Sequence, residues 1–262
     1  MTAADFATRR FQSAAAHYLA GRAPYPAALI ANVVRSLGLR STDRMLDLGC
    51  GPAQLATAFA RFVGEVLALD PEPHMLALAR EAARDLPNVK VAEGRSDDLG
   101  PEFGWFRAVM IGRAFHWMDR EETLRRLDRL IEPDGAVVLF DDKRPAIPEN
   151  KWVKEVRALL ERYAEDDEDF KRRRSDSFLP HMSVLLRSRF NRLEQFSVTT
   201  KRELTVDDLV ERALSGSSTS RARLGERADA MIGDLHALAA ELSSSGPLVE
   251  VVTSNALIAR RS

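Results

Sequence analysis

One cysteine in 262 residues, Cys50, excludes a disulfide framework within the chain and any thiolate zinc cluster. Net charge is equally scarce. With 38 basic against 39 acidic side chains, no global field draws nucleic acid or an anionic membrane. Lysine is rare, six residues against 32 arginines; the arginines are scattered among acids at helical spacing, which reads as composition bias and not as recognition. No apolar run approaches the 18 residues of a membrane span, and the start M-T-A-A-D-F-A-T-R-R has no apolar signal core. No repeat at a solenoid period is present. The expectation is a soluble, cytoplasmic chain with no nucleic-acid or membrane partner, long enough for one α/β domain.

What the chain does have is the stretch Arg44 to Gln54, R-M-L-D-L-G-C-G-P-A-Q. A short apolar run ends in Gly49-Cys50-Gly51, and helix formers follow, which reads as strand, tight turn and helix N-terminus. Gly49 and Gly51 permit positive φ and let a ligand lie against bare backbone, and Pro52 suits the first turn of the helix. The single cysteine inside this turn reads as small-residue packing. Asp47, just before the glycines, would repel a pyrophosphate but pair with an ammonium group, and Gln54 stands where G-x-G-x-x-G would have its third glycine. Downstream, Glu65 to Asp70 reads as a second buried strand ending in an acid, in the place of a ribose-diol acceptor. The ligand these residues describe contains adenosine and has an amino-acid end.

Three stretches carry a resemblance: Asp47-Leu48-Gly49-Cys50-Gly51, Asp70-Pro71-Glu72-Pro73-His74-Met75, and Leu130 to Ala136 (L-I-E-P-D-G-A). They resemble the successive motifs of class I S-adenosylmethionine-dependent methyltransferases. The nearest subgroup is the type 11 domain family of small-molecule enzymes resembling trans-aconitate methyltransferase. The resemblance covers roughly the first 140 residues well and the remainder by architecture. It implies an α/β, Rossmann-like sheet of seven strands in the order 3-2-1-4-5-7-6, the last antiparallel, with N-terminal helices and a helical cap inserted after strand five. It also implies S-adenosylmethionine as cofactor, with S-adenosylhomocysteine as product. Residues 1–262 are expected to form a single domain: a helical lid (1–40), a cofactor-binding core (41–142), the cap (143–188), and C-terminal sheet and helices (189–262).

Residues 3 to 20 read as a helix with Phe6, Phe11, Tyr18 and Leu19 on one side. The following Tyr18 to Pro26 segment resembles the subgroup's Y-x-x-x-R-P-x-Y-P entry, with Ala23 in place of the usual proline. The resemblance brings Arg22, with Tyr18, to the methionine carboxylate; a fixed guanidinium on a proline-stiffened loop suits that task. Tyr25 is assigned to the acceptor. Pro71 and Met75 are placed near the adenosine. After the third strand, Val89 to Glu93, the family reads the adenine edge with an acid; Arg95 occupies its position, so Ser96 or Asp97 takes the role. Asp98 reads as a helix-start residue.

Phe106 to Ile111 is the fourth strand, and Gly112-Arg113-Ala114-Phe115-His116-Trp117 follows it, resembling the subgroup's A-F-H-W loop. Gly112 and Arg113 are placed at the cofactor, Phe115 and Trp117 at the acceptor. His116 is the candidate general base; packing the loop beneath the cofactor is its other reading. Pro133-Asp134-Gly135 reads as a turn before a strand from Ala136 to Phe140. The adjacent acids Asp141 and Asp142 diverge and no other acid-rich loop completes a metal site, so no metal is expected.

Beyond Lys143 the rhythm changes. Trp152 to Tyr163 is amphipathic, a charge block from Glu165 to Arg174 reads as a solvated face, and Trp152 is assigned to the acceptor. His181 is a second candidate base. The expected reaction is in-line displacement at the sulfonium methyl onto a small organic or natural-product acceptor, by a monomer or homodimer. A methyltransferase-fold scaffold without turnover and a nicotinamide-dependent oxidoreductase are the alternatives, and Asp47 and Gln54 weigh against the latter.

Overall fold

Runs of alternating residues predict strands whose side chains point to opposite faces, and the sheet is built from them. The computed structural model describes residues 14–244 and 246–262; Phe6 and Phe11 lie outside them. From the amino end run α1 (Ala15–Gly21), α2 (Ala27–Leu37), β1 (Arg44–Leu48), α3 (Gln54–Phe59), β2 (Glu65–Asp70), α4 (Pro73–Ala82), β3 (Val89–Glu93), β4 (Phe106–Gly112), α5 (Arg120–Leu127) and β5 (Ile131–Lys143). Then come α6 (Trp152–Ala164), α7 (Glu168–Arg174), α8 (His181–Leu186), β6 (Arg192–Leu204), α9 (Val206–Leu214), α10 (Arg221–Leu224), α11 (Arg227–Leu242) and β7 (Leu248–Arg260). The seven strands lie in the order β3-β2-β1-β4-β5-β7-β6, the order the resemblance implies. β1 pairs in parallel with β2 and β4, β2 with β3, and β4 with β5. Among the described residues no helix is long and apolar enough to cross a membrane.

The chain divides into two units, one of residues 25–142, 179–198 and 254–262, the other of the described residues up to 24 with 143–178 and 199–253. In the first, the sheet unit, alternation sorts each strand between two cores. Met45, Val66, Ala68, Ala108, Met110, Val138 and Phe140 pack on one face with α2 and α3. Leu46, Leu48, Leu67, Leu69, Val109, Ile111, Val137 and Leu139 pack on the other with α5 and α8. Both faces are covered, as a parallel sheet requires.

The fifth strand starts earlier than expected. Phe106 pairs with Ile131 and Ala108 with Ala136, so Glu132 to Gly135 stand opposite Arg107 alone. The Pro133-Asp134-Gly135 turn is therefore a bulge within the strand, which absorbs a proline that has no N–H to give the ladder.

In the second, helical unit, Trp152, Val156 and Leu159 of α6 share a core with Leu209 and Ala213 of α9 and Met231, Leu235 and Ala239 of α11. The charge block is ordered by the helix macrodipole. Asp167 caps α7 by accepting from the Phe170 N–H at 2.9 Å; Glu168 and Asp169 occupy the first turn and Lys171 to Arg174 the last. Gly21 ends α1 against α9, where a Cβ would lie 2.5 Å from the Glu211 carbonyl oxygen.

That contact separates propensity from packing. Alanine is favoured over glycine inside a helix by about 1 kcal/mol, whereas overpacking costs about 1–3 kcal/mol. Gly21→Ala is expected to lower the urea midpoint of unfolding, and a raised midpoint would show that α1 shifts freely.

Candidate functional site

The turn after β1 is fastened to the neighbouring strand. Gly49 and Cys50 both donate to the Leu69 carbonyl, at 2.8 and 2.9 Å, and the Gly51 N–H donates to Oδ2 of Asp70 at 2.8 Å. Oδ1 of Asp70 accepts from the Glu72 N–H at 2.9 Å. One carboxylate thus joins two successive strand-to-helix turns. The chain is left-handed at Gly49, Gly51 and Ala53, with φ of +70°, +52° and +63°. Glycine at 49 is also a steric requirement, since a Cβ would lie 2.7 Å from that of Ala114. Ala53 is the N-cap of α3. Pro52 therefore lies in the turn and not in the helix's first turn, because the left-handed residue after it delays the helix to Gln54.

Ala53 has no side-chain acceptor to satisfy the first N–H groups of α3, and Asp47 does this from the strand. Its Oδ2 accepts from the Ala56 N–H at 2.9 Å. Asp47 is 1% exposed. Burial pushes its pKa up to about 7, the Ala56 hydrogen bond opposing and the charge of Asp70 adding to the shift. Asp70 is raised too, by burial first, against the N–H donors of Glu72 and Gly51. No cationic side chain pairs with Asp47 among the described residues, so a ligand ammonium beside it would restore its charge. Cys50 packs in the apolar core with Met45 and Leu55, and burial, with both acids nearby, pushes its thiol well above the usual range.

At the end of β4, Arg113 has φ of +56°, a conformation costing a bulky residue roughly 1–2 kcal/mol. Its side chain compensates. The Nε donates to Asp142 Oδ2 at 2.8 Å and Nη1 to Gln54 Oε1 at 3.3 Å, and the guanidinium lies 4.4 Å from the centroid of the Tyr25 ring. Asp142 also accepts from Ser254 Oγ at 2.7 Å, while Asp141 turns to Asn255 at 2.7 Å. Gly112 leaves room for Tyr25, whose hydroxyl would lie 2.7 Å from a Cβ there.

The structure thus brings Asp47, Gly49, Cys50, Gly51, Asp70, Gly112, Arg113 and Tyr25 together at the ends of β1, β2 and β4. Met75 is buried on α4 and Pro71 half-buried before it. Ser96 is buried after β3, Asp97 is exposed, and Asp98 closes the turn by accepting from the Arg95 N–H at 2.8 Å. Phe115 lies in the core, edge-on to His181 at 5.2 Å. His116 is half-buried, 4.8 Å from the Trp117 ring and stacked on His181 at 6.4 Å. His181 accepts from Arg120 at Nδ1, and burial, then Arg120, lowers its pKa to about 4; that committed nitrogen makes it a poor base. Tyr18, Arg22 and Trp152 belong to the helical unit, where Arg22 donates to Ser215 Oγ at 3.2 Å and lies 5.8 Å from the Tyr18 ring centroid. Trp152 donates its ring N–H to the Val249 carbonyl at 2.7 Å.

A family model described as a methyltransferase domain matches residues 45–135, the span from β1 to the bulge of β5. That span of the chain is similar to a methyltransferase domain. It is 26% identical over 62% of its length to an uncharacterised methyltransferase-like protein of Schizosaccharomyces pombe, covering 62% of that protein. It is 29% identical over 58% to an uncharacterised methyltransferase of Mycobacterium bovis, covering 59%. The chain thus matches about three-fifths of the length of these curated relatives. In fold it is similar to the YcgJ protein of Bacillus subtilis, with a TM-score of 0.54 at 17% identity over 90% of this chain and 99% of that one.

Three residues of this site went unassigned in the sequence. Gln54, noted only as a missing glycine, accepts from Arg113. Asp142, weighed only as half of an acid pair, holds the Arg113 guanidinium. Glu72 caps α4 by accepting from the His74 N–H at 3.3 Å, and its Oε2 is buried without a partner; its place just before a Pro-led helix was the available signal.

The raised pKa of Asp47 has a consequence for stability. Its folded value lies above its unfolded one, so its contribution is complete below about pH 4 and is lost as pH rises through about 7. Asp47→Asn keeps an acceptor for Ala56 and removes the titration. Its unfolding free energy is expected to exceed that of the wild type by roughly 1–4 kcal/mol at pH 8 and to converge with it near pH 4. Equal pH profiles would refute the assignment.

Proposed function

We propose that this chain transfers a methyl group from S-adenosylmethionine to a small organic or natural-product acceptor, in the cytoplasm. The observation that carries the reading is Asp47, a buried carboxylate with no cationic partner among the described residues, beside a glycine turn. The site's residues fit the cofactor chemically: Asp47 would hold its ammonium, Gly49 and Gly51 would admit it against backbone, and Asp70 has lone pairs left for a ribose hydroxyl. Ser96 and Asp97 are the candidates for the adenine edge. When bound, the cofactor supplies a methyl group already activated by positively charged sulfur.

The protein's part is then mainly orientation, which supplies several kcal/mol and up to about 7–11 in ideal cases. Arg113, locked by Asp142 and Gln54, fixes the end of β4 and so aims the loop bearing His116 and Trp117. For an acceptor oxygen that must lose a proton, His116 is the group in that loop able to take it at neutral pH; an acceptor already ionised needs none. A nicotinamide cofactor fits less well, because Asp47 would face its pyrophosphate.

The test is calorimetric titration with S-adenosylmethionine and S-adenosylhomocysteine. Saturable binding is expected, weakened at least about tenfold in Asp47→Ala and Asp70→Ala. Affinity should rise from pH 5 to 7 and level off above, as Asp47 ionises. Folded wild-type protein that binds neither compound would defeat the reading and favour a scaffold.

A further inference from the structure

The helical unit holds a charge cluster that the methyl-transfer reading does not use. Glu250 of β7 is fully buried and lies among three guanidinium groups. Arg212 grips it with both terminal nitrogens, at 2.7 Å to Oε1 and 2.8 Å to Oε2. Arg144 Nε donates to Oε1 at 2.6 Å and Arg202 Nε to Oε2 at 2.9 Å. Four donors saturate the carboxylate, yet the Nε of Arg212 is buried with no partner, and the terminal nitrogens of Arg144 and Arg202 make no bond to the described residues. Asp208, whose ionised form Arg202 and Arg212 also favour, is engaged in capping α9 through Thr205. Three guanidinium groups therefore share the one carboxylate of Glu250.

Three guanidinium groups on one carboxylate are costly where water is scarce. A half-buried cation lacking its counter-charge is destabilising, and planar guanidinium forks satisfy it best with carboxylate or phosphate oxygens. Burial, then the charges of Arg144 and Arg202, depress the Arg212 pKa to about 10 despite Glu250. The cluster is also reachable: the Arg144 and Arg202 side chains are 25% and 37% exposed. Arg212 stands 6.0 Å from the centroid of the Trp152 ring, which gives the site an aromatic wall.

We propose that Arg144, Arg202 and Arg212 form a binding site for a small oxyanion, a dicarboxylate or a phosphate, whose oxygens meet the guanidinium nitrogens that Glu250 leaves unused. The site is independent of cofactor binding and stands or fails separately from it.

The full chain is titrated calorimetrically with malonate and with inorganic phosphate, against sodium chloride at matched ionic strength. Saturable heat is expected with at least one of the two anions, and comparing them tells a carboxylate ligand from a phosphate. Arg144→Gln and Arg202→Gln are expected to weaken binding about tenfold each, and Arg202→Lys, which keeps the charge and loses the fork, by less. Melting curves and S-adenosylmethionine titration of the same variants report folding separately; Arg202→Lys keeps the test open should a glutamine variant fail to fold. No saturable heat beyond the chloride control, or an affinity unchanged in folded Arg144 and Arg202 variants, would overturn the proposal.

Discussion

Two carboxylates at the ends of adjacent parallel strands hold the site in place. Asp70 accepts the N–H groups of Gly51 and Glu72, and Asp47 accepts that of Ala56. Without them the left-handed turn at Gly49, Gly51 and Ala53 would leave buried donors unpaired, each costing about 1–3 kcal/mol. Parallel pairing of β1 with β2, Asp47 opposite Ala68 and Leu48 opposite Leu69, brings the second carboxylate to the first turn. Register, turn and helix start are thus one construction.

The same construction explains why a glutamine replaces the third glycine. In a dinucleotide fold that glycine lets helix and strand approach closely. Here α3 starts at Gln54, and its side chain reaches the guanidinium of Arg113 at 3.3 Å. Arg113 is bent into a left-handed conformation and held by Asp142, itself bonded to Ser254. The position gives up close helix packing and gains a polar tie between the first helix of the site and the ends of β4 and β5.

The strand order came from the resemblance and matches the structure, while the strands and the acids that end β1 and β2 were legible from local patterns, alternation within short apolar runs and an acid set before a turn. The bulge in β5 was not, because Pro133-Asp134-Gly135 has the composition of an ordinary turn and only the pairing of Ile131 with Phe106 shows that the strand resumes around it. The charge block of α7 read as a solvated face; its order, acids first and bases last, held the dipole signal that composition alone conceals. Gln54, Asp142 and Glu250 escaped for a different reason. Each is defined by partners 29 to 112 positions away, and no spacing rule links them. Phe115 and His181 illustrate the converse, since an aromatic and a histidine in promising loops are placed by the fold in an apolar core and under an arginine.

Asp47 shows how the site's chemistry and its cost arise together. A carboxylate in the open would hold an ammonium weakly, because water screens it. Burial removes that screening and raises the proton affinity until the group is poised near neutrality. On the proposed reading, a ligand cation would do what no described side chain does: it would offset the desolvation and fix the charge, while the helix N–H on Oδ2 keeps the carboxylate aimed. The protein alone carries the desolvation penalty, and a bound cation would relieve it. The buried acid that weakens the fold near neutral pH is therefore, on the proposed reading, the feature that would favour a cationic ligand end.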